Sequence, residues 1–269
     1  MDKPTVASVT ADLVAEQASL DEVVSPLSDA DWERVTPSPG WKVRDQVGHL
    51  AFFDTTAALA ITDPAGFAAH RESFMARALG SADAADDATL GEARAMAAPD
   101  LLEHWRGRRQ DLADAAATCG DDARIEWYGP SMGARSFLTA RLMEAWAHGQ
   151  DICDTVGAQR EPTDRLRHIA QLGVITRGWT YINRGADVPE GEVRVELAAP
   201  SGATWVWGPE DADASVCGSA LEFCLVTAQR RNIADVDLVV EGDIAIDWLA
   251  KAQLFAGPPS DPPVPRGTD

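Results

Sequence analysis

No run of apolar residues in this 269-residue chain approaches the ~18 needed to cross a bilayer. Cysteine is scarce. Cys119, Cys153, Cys217 and Cys224 contain no C-x-x-C pair, so neither a disulfide framework nor a four-cysteine zinc site is in view. The opening "MDKPTVASVTADLV" lacks the basic-then-apolar order of a signal peptide, which makes the reducing cytoplasm the expected compartment. Positive charge is in deficit: 23 Lys and Arg stand against 43 Asp and Glu, a formal net charge of −20. Affinity for nucleic acid comes largely from Lys and Arg releasing phosphate counterions, and anionic membranes attract basic patches. Both are therefore excluded as main partners, and the expected partner is a small molecule bound by a monomer or homodimer. Tyrosine is nearly missing, with two residues, whereas there are nine tryptophans. A buried indole needs a partner for its N–H, so several of these should line clefts.

The apolar fraction of 45% is ample for a core, and its periodicity is helical for most of the length. Helices are expected over 5–26, 43–62, 65–79, 99–118, 135–156 and 163–183, with Pro26, Pro64 and Gly120 as stops. Val43, Val47, Leu50 and Asp54 fall on one stripe of the second of these. The small-residue acidic stretch leading to residue 90 reads as surface, and 125–134 as a loop. After residue 190 the period changes to two. "EVRVELAAPSGATWVWGP" reads as two strands about a Ser-Gly turn, followed by a helix in "GSALEFCLVTAQRR", a strand in "VDLVVEG" and a last helix in "DIAIDWLAKAQLFAG". The fold expected is mainly α: a helical domain over 1–185, a small α+β domain over 190–257, and a disordered Pro-rich tail over 258–269.

One stretch of the helical half carries chemistry. In "RLMEAWAHGQD", Glu144 and His148 are four apart and reach one point on the same helix face. That pair is either a surface ion pair or two ligands of a divalent metal, for which imidazole and carboxylate are a normal mixed set. Two ligands from one helix need a third, and the chain has five histidines. His70, His104 and His168 lie among charged neighbours. His49 flanks the apolar stripe of "WKVRDQVGHLAFF" and is the best placed.

"GWKVRDQVGHL" and "EAWAHGQDICDTVG" together resemble the two signatures of the DinB-like and mycothiol-dependent maleylpyruvate isomerase superfamily, in order and at wide separation. The resemblance covers roughly 5–185 and implies a four-helix bundle with one divalent metal, most often Zn²⁺, on His49, Glu144 and His148. Asp45 and Asp151 are then candidates to accept the free ring N–H of a ligating imidazole. The C-terminal part resembles the tail of uncharacterised actinobacterial metal-binding proteins, which is similar to a wyosine-base-formation segment. The tRNA work that label implies sits badly with the net charge of −20.

The resemblance implies a thiol-dependent S-transferase or isomerase, with mycothiol as co-substrate and a small electrophile as substrate. Arg141, Arg230 and Arg231 are candidates to bind the anionic groups of thiol or substrate. A metal-dependent hydrolase and a non-catalytic metal-binding stress protein are the alternatives.

Overall fold

The computed structural model describes residues 4–78 and 81–267. Met1–Lys3 of the opening segment, Leu79 at the expected end of the helix over 65–79, and Thr268–Asp269 of the tail lie outside them. The chain forms two compact units, Met1–Arg160 and Glu161–Asp269.

In the first unit, α1 (Val6–Val24) opens on a capping box: Thr5 Oγ1 accepts from Ser8 N at 3.1 Å, and Ser8 Oγ accepts from Thr5 N at 3.0 Å. A single turn, α2 (Asp29–Trp32), interrupts the proline-rich link. Next come α3 (Val43–Thr62), α4 (Pro64–Ala78), α5 (Ala82–Ala95) and α6 (Ala98–Ala116). A minimal hairpin of β1 (Arg124–Ile125) and β2 (Met132–Gly133) follows where a plain loop was expected. The long α7 (Ala134–Val156) ends at Gly157, whose φ of 75° is the left-handed conformation that closes helices.

Helix α3 packs on α5, α6 and α7, while α1 packs on α6 and α7. The stripe read from sequence is the contact: Val43, Val47 and Leu50 bury against Leu101, Leu102 and Trp105 of α6 and Ala145 and Ile152 of α7. Each such side chain contributes about 1.5–3 kcal/mol on burial, which fixes the roll of α3 about its axis. The stretch before residue 90 is not merely surface, because it belongs to α5, where Leu90 and Ala93 are buried. Small residues permit this. A Cβ on Gly48 would come within 2.5 Å of Ala93 Cβ, so α3 and α5 meet without intervening side chains.

In the second unit, α8 (Leu166–Ile175) and α9 (Arg177–Ile182) lie in sequence before a four-stranded sheet ordered β4-β3-β5-β6. The run 163–183 thus belongs to this unit rather than to the preceding helices, and α8 packs on α10 (Ala220–Thr227). Strands β3 (Val193–Ala198) and β4 (Thr204–Trp207) form the expected hairpin, pairing Leu197 with Trp205. Strand β5 (Ala214–Ser219) was not foreseen. It runs parallel to β3, and its alternation of Ala214 and Val216 inward with Ser215 and Cys217 half-buried is too short to stand out beside the α10 helix. Strand β6 (Val239–Glu241) and α11 (Asp243–Leu249) complete the unit. Its described tail is pinned rather than disordered: Gln229 Nε2 donates to Ser260 O at 2.9 Å, Asn232 Nδ2 to Pro263 O at 2.8 Å, and Arg266 N to Asp235 Oδ1 at 2.8 Å. Among the described residues no helix is long and apolar enough to cross a membrane.

Candidate metal centre

Helices α3 and α7 pack side by side, and this brings His49 to Glu144 and His148 although 95 residues separate His49 from Glu144. His49 Nε2 lies 3.0 Å and His148 Nε2 3.3 Å from Glu144 Oε2, and one ligand atom from each of the three residues falls within 4.8 Å of the others. The two imidazole rings stand 4.4 Å apart between centroids. All three side chains are half-buried.

The environment prepares each group. Burial, reinforced by the charges of His148 and Arg141, pushes the His49 imidazole down to about 4, so it is neutral at physiological pH. Burial alone would raise the Glu144 carboxyl. The charge of Arg141 and hydrogen bonds from both histidines outweigh it and hold Glu144 well below the usual carboxylate range. His148 Nδ1 donates to Gln46 Oε1 at 2.5 Å. The Gln46 amide cannot turn, because its Nε2 donates to Thr36 Oγ1 at 2.8 Å and Ser38 Oγ at 3.0 Å. With Nδ1 so engaged, Nε2 is the ring nitrogen that His148 turns toward Glu144 Oε2, at 3.3 Å. Two imidazole nitrogens and a carboxylate, with one tautomer fixed by an amide, fit a divalent transition metal.

Asp45 and Asp151 are both buried, but neither makes the closest contact to a ring nitrogen of the cluster. Asp45 lies one turn before His49 and is occupied elsewhere: Oδ2 accepts from Lys42 N at 2.9 Å, capping α3, and Oδ1 accepts from Arg94 Nε at 2.8 Å. Asp151 Oδ2 is 3.8 Å from His148 Nδ1 and accepts from Ser38 Oγ at 3.2 Å. The partner that sequence reasoning missed is Gln46, three residues before His49 and on the flank facing α7. A neutral amide in a helix carries no signal of its role until the register of α3 on α7 is known.

Arg141 reaches the cluster. Its guanidinium is 3.7 Å from Glu144 Oε1 and lies over the rings of Trp127 and Phe53, at 5.0 and 5.5 Å from their centroids. It is 7% exposed, and its Nε is buried without a hydrogen-bond partner. Arg230 and Arg231 belong to the second unit. They follow the end of α10, which stops at Thr227 because Gln229 turns left-handed with φ 57°, and Arg230 Nη1 donates to Ala228 O at 2.7 Å. Aromatic rings wall the cluster: Trp41 stacks on His148 at 5.8 Å and Phe53 meets His49 at 4.6 Å. Trp41 is held in turn by Nε1 donating to Asp86 Oδ2 at 3.0 Å.

Residues 13–153 match the profile of the mycothiol maleylpyruvate isomerase N-terminal domain, and residues 189–241 match that of the wyosine base formation domain. Two uncharacterised proteins of Mycobacterium tuberculosis, from strains CDC 1551 / Oshkosh and ATCC 25618 / H37Rv, are each 45% identical over 249 residues, 93% of this chain and 95% of theirs. The crystal structure of a mycothiol-dependent maleylpyruvate isomerase superposes with a TM-score of 0.59 at 18% identity, covering 89% of this chain and 94% of that one. A histidine-to-alanine mutant of a mycothiol-dependent maleylpyruvate isomerase gives 0.56, also at 18% identity, over 85% and 90%. At that identity the likeness speaks for the fold: mainly helical, with a small α+β portion at the C-terminal end. On the profile match over residues 13–153, the chain belongs to the mycothiol maleylpyruvate isomerase N-terminal domain family.

Proposed function

We propose that this chain binds a divalent metal, with zinc the expected ion, and uses it to activate a low-molecular-weight thiol of the mycothiol kind for S-transfer to, or isomerisation of, an electrophilic substrate. The observation that carries the reading is the convergence of His49 Nε2, Glu144 Oε2 and His148 Nε2 around one point, with one ligand atom from each residue within 4.8 Å of the others. These three residues would hold the ion, and such a set leaves coordination positions open for an incoming ligand. When bound, the ion supplies Lewis acidity that keeps a thiol brought to it deprotonated near neutral pH.

The chain's own residues set the conditions. Gln46 engages His148 Nδ1, so that Nε2 is the nitrogen that would face the ion. Arg141 keeps Glu144 ionised, and its guanidinium, 3.7 Å from Glu144 Oε1, is placed to pair with a carboxylate or thiolate brought to the cluster. Arg230 and Arg231 are further candidates for the anionic ends of thiol or substrate. Trp41 and Phe53 restrict water around the imidazoles. Dependence on mycothiol is what the solved relatives are named for, and it supports the choice of thiol.

The metal-loaded protein should consume monochlorobimane in the presence of mycothiol, with the conjugate followed by fluorescence. Arg141→Gln should lower this turnover by about tenfold, the size of one lost charge-assisted hydrogen bond. Ester or amide turnover without thiol would point instead to the hydrolase. The absence of both turnover and thiol-induced stabilisation would leave only a structural ion. Gln46→Leu should weaken metal affinity by about 10–100-fold while the fold is kept, as measured by competition with a chromophoric chelator.

A further inference from the structure

Helix α3 carries a second face about 100° around from His49, formed by Gly48, Ala51, Thr55 and Leu59. It borders a cavity of about 440 Å³ enclosed by α3, α4, α5 and α6. A second hollow of about 510 Å³ shares Thr55, Leu59 and Arg108 with it and continues along α3 and α6. Each falls in the ~300–1,000 Å³ range of small-molecule sites. None of the three candidate metal ligands lines either hollow.

Apolar Ala51, Phe52, Leu59 and Ala93 line the cavity, and its rim carries the guanidinium groups of Arg77 and Arg108, with His104 beside them. That rim is conspicuous in a chain of net charge −20. Its charges are also poorly used within the protein. Arg77 and His104 make no ion pair among the described residues. Arg108 has one, Nη2 at 3.2 Å from Asp111 Oδ2, while its Nε is buried with no hydrogen-bond partner. A buried N–H left unmade costs about 1–3 kcal/mol, and the planar guanidinium fork matches a carboxylate. Two acidic groups, Asp87 and Glu92, also line the wall. Asp87 lies 3.8 Å from Arg94, and Glu92 makes no ion pair among the described residues. A highly charged anion would be repelled there, whereas a single carboxylate on an apolar body would not.

We infer that this cavity is a binding site for a small amphipathic carboxylate, with the carboxylate on Arg108 and Arg77 and the hydrocarbon along Phe52 and Leu59. The site stands apart from the metal cluster and does not depend on it.

Isothermal titration of the full chain at low ionic strength tests this, with octanoate as the probe and octylamine and inorganic phosphate as comparators. Octanoate should bind saturably at one site, and neither octylamine nor phosphate should match it. Arg108→Gln and Arg77→Gln should each weaken octanoate by about tenfold, the loss of one charge-assisted hydrogen bond. Leu59→Trp, which fills the shared waist of the two hollows, should abolish binding. Thermal unfolding checks that each variant is folded, and His49→Ala should leave octanoate affinity unchanged. The inference is overturned if the wild type shows no saturable binding, if octylamine or phosphate binds as tightly, or if the folded arginine and Leu59→Trp variants stay within twofold of wild type.

Discussion

Chains carrying His148→Ala or His49→Ala should retain almost none of the divalent metal that the wild type takes up at about one equivalent per chain. The expectation follows from the ligand count. His49 on α3, with Glu144 and His148 on α7, supplies three donor atoms within 4.8 Å of one another, and removing one leaves too few to hold an ion against buffer. Elemental analysis after gel filtration reads the loss directly. A second readout is thermal: zinc at a thousand times its dissociation constant stabilises the folded wild type by about 4 kcal/mol, and neither variant should show that shift. Both imidazoles pack against Trp41 or Phe53, so far-UV circular dichroism of each metal-free variant checks that the fold is kept. Full metal stoichiometry in either variant would remove the site.

The second large effect concerns Asp54, which lies on the apolar stripe of α3. Its Oδ2 accepts from Gln17 Nε2 at 2.9 Å and from Trp105 Nε1 at 3.2 Å. Burial pushes its carboxyl up to about 7 against the lowering influence of Arg141 and the Trp105 hydrogen bond. In the unfolded chain the same group titrates near 3.9. Between those values the folded protein holds a proton that the unfolded chain has released, so stability is greatest at the acid end of the window. It falls as pH rises, by about 1.4 kcal/mol per unit, and levels off above about pH 7. The whole span comes to about 4 kcal/mol. Asp54→Asn keeps an acceptor for both donors and has nothing to ionise. The stability difference between this variant and the wild type, from urea unfolding at a series of pH values, should therefore grow in the variant's favour from pH 4 to pH 7. Parallel pH profiles would show that Asp54 ionises without cost.

The sequence made the apolar stripe of α3 legible because Val43, Val47 and Leu50 repeat at helical spacing and all bury as that spacing requires. The same periodicity put Asp54 inward but could not supply its partners, since Gln17 and Trp105 come from two other helices. Glu144 and His148 were readable as a pair from their four-residue step. Bringing His49 to them depended on which face α3 turns to α7, and that is a property of packing. Helix α5 was obscured by its composition: alanines and aspartates give a weak apolar stripe, and only Leu90 and Ala93 reveal the buried side once Gly48 is seen to admit them. Strand β5 was lost for a related reason. It is central, short and joined directly to α10, so neither its alternation nor its boundaries carried enough residues to compete with the helix beside it.

The proton on His148 is chosen neither by α3 nor by α7 alone, but by Thr36 and Ser38, whose hydroxyls hold the Gln46 amide. Both lie in the link "TPSPGW", where Pro37 and Pro39 alternate with them and Gly40 takes a φ of 78°. Prolines at such positions narrow the conformations open to the unfolded link, so ordering it costs less entropy than ordering a free loop. The electronic state of one imidazole is thereby preorganised by a segment that contributes no candidate ligand of its own. Substituting those prolines would act on the cluster through the rigidity of the link while leaving every donor atom in the sequence.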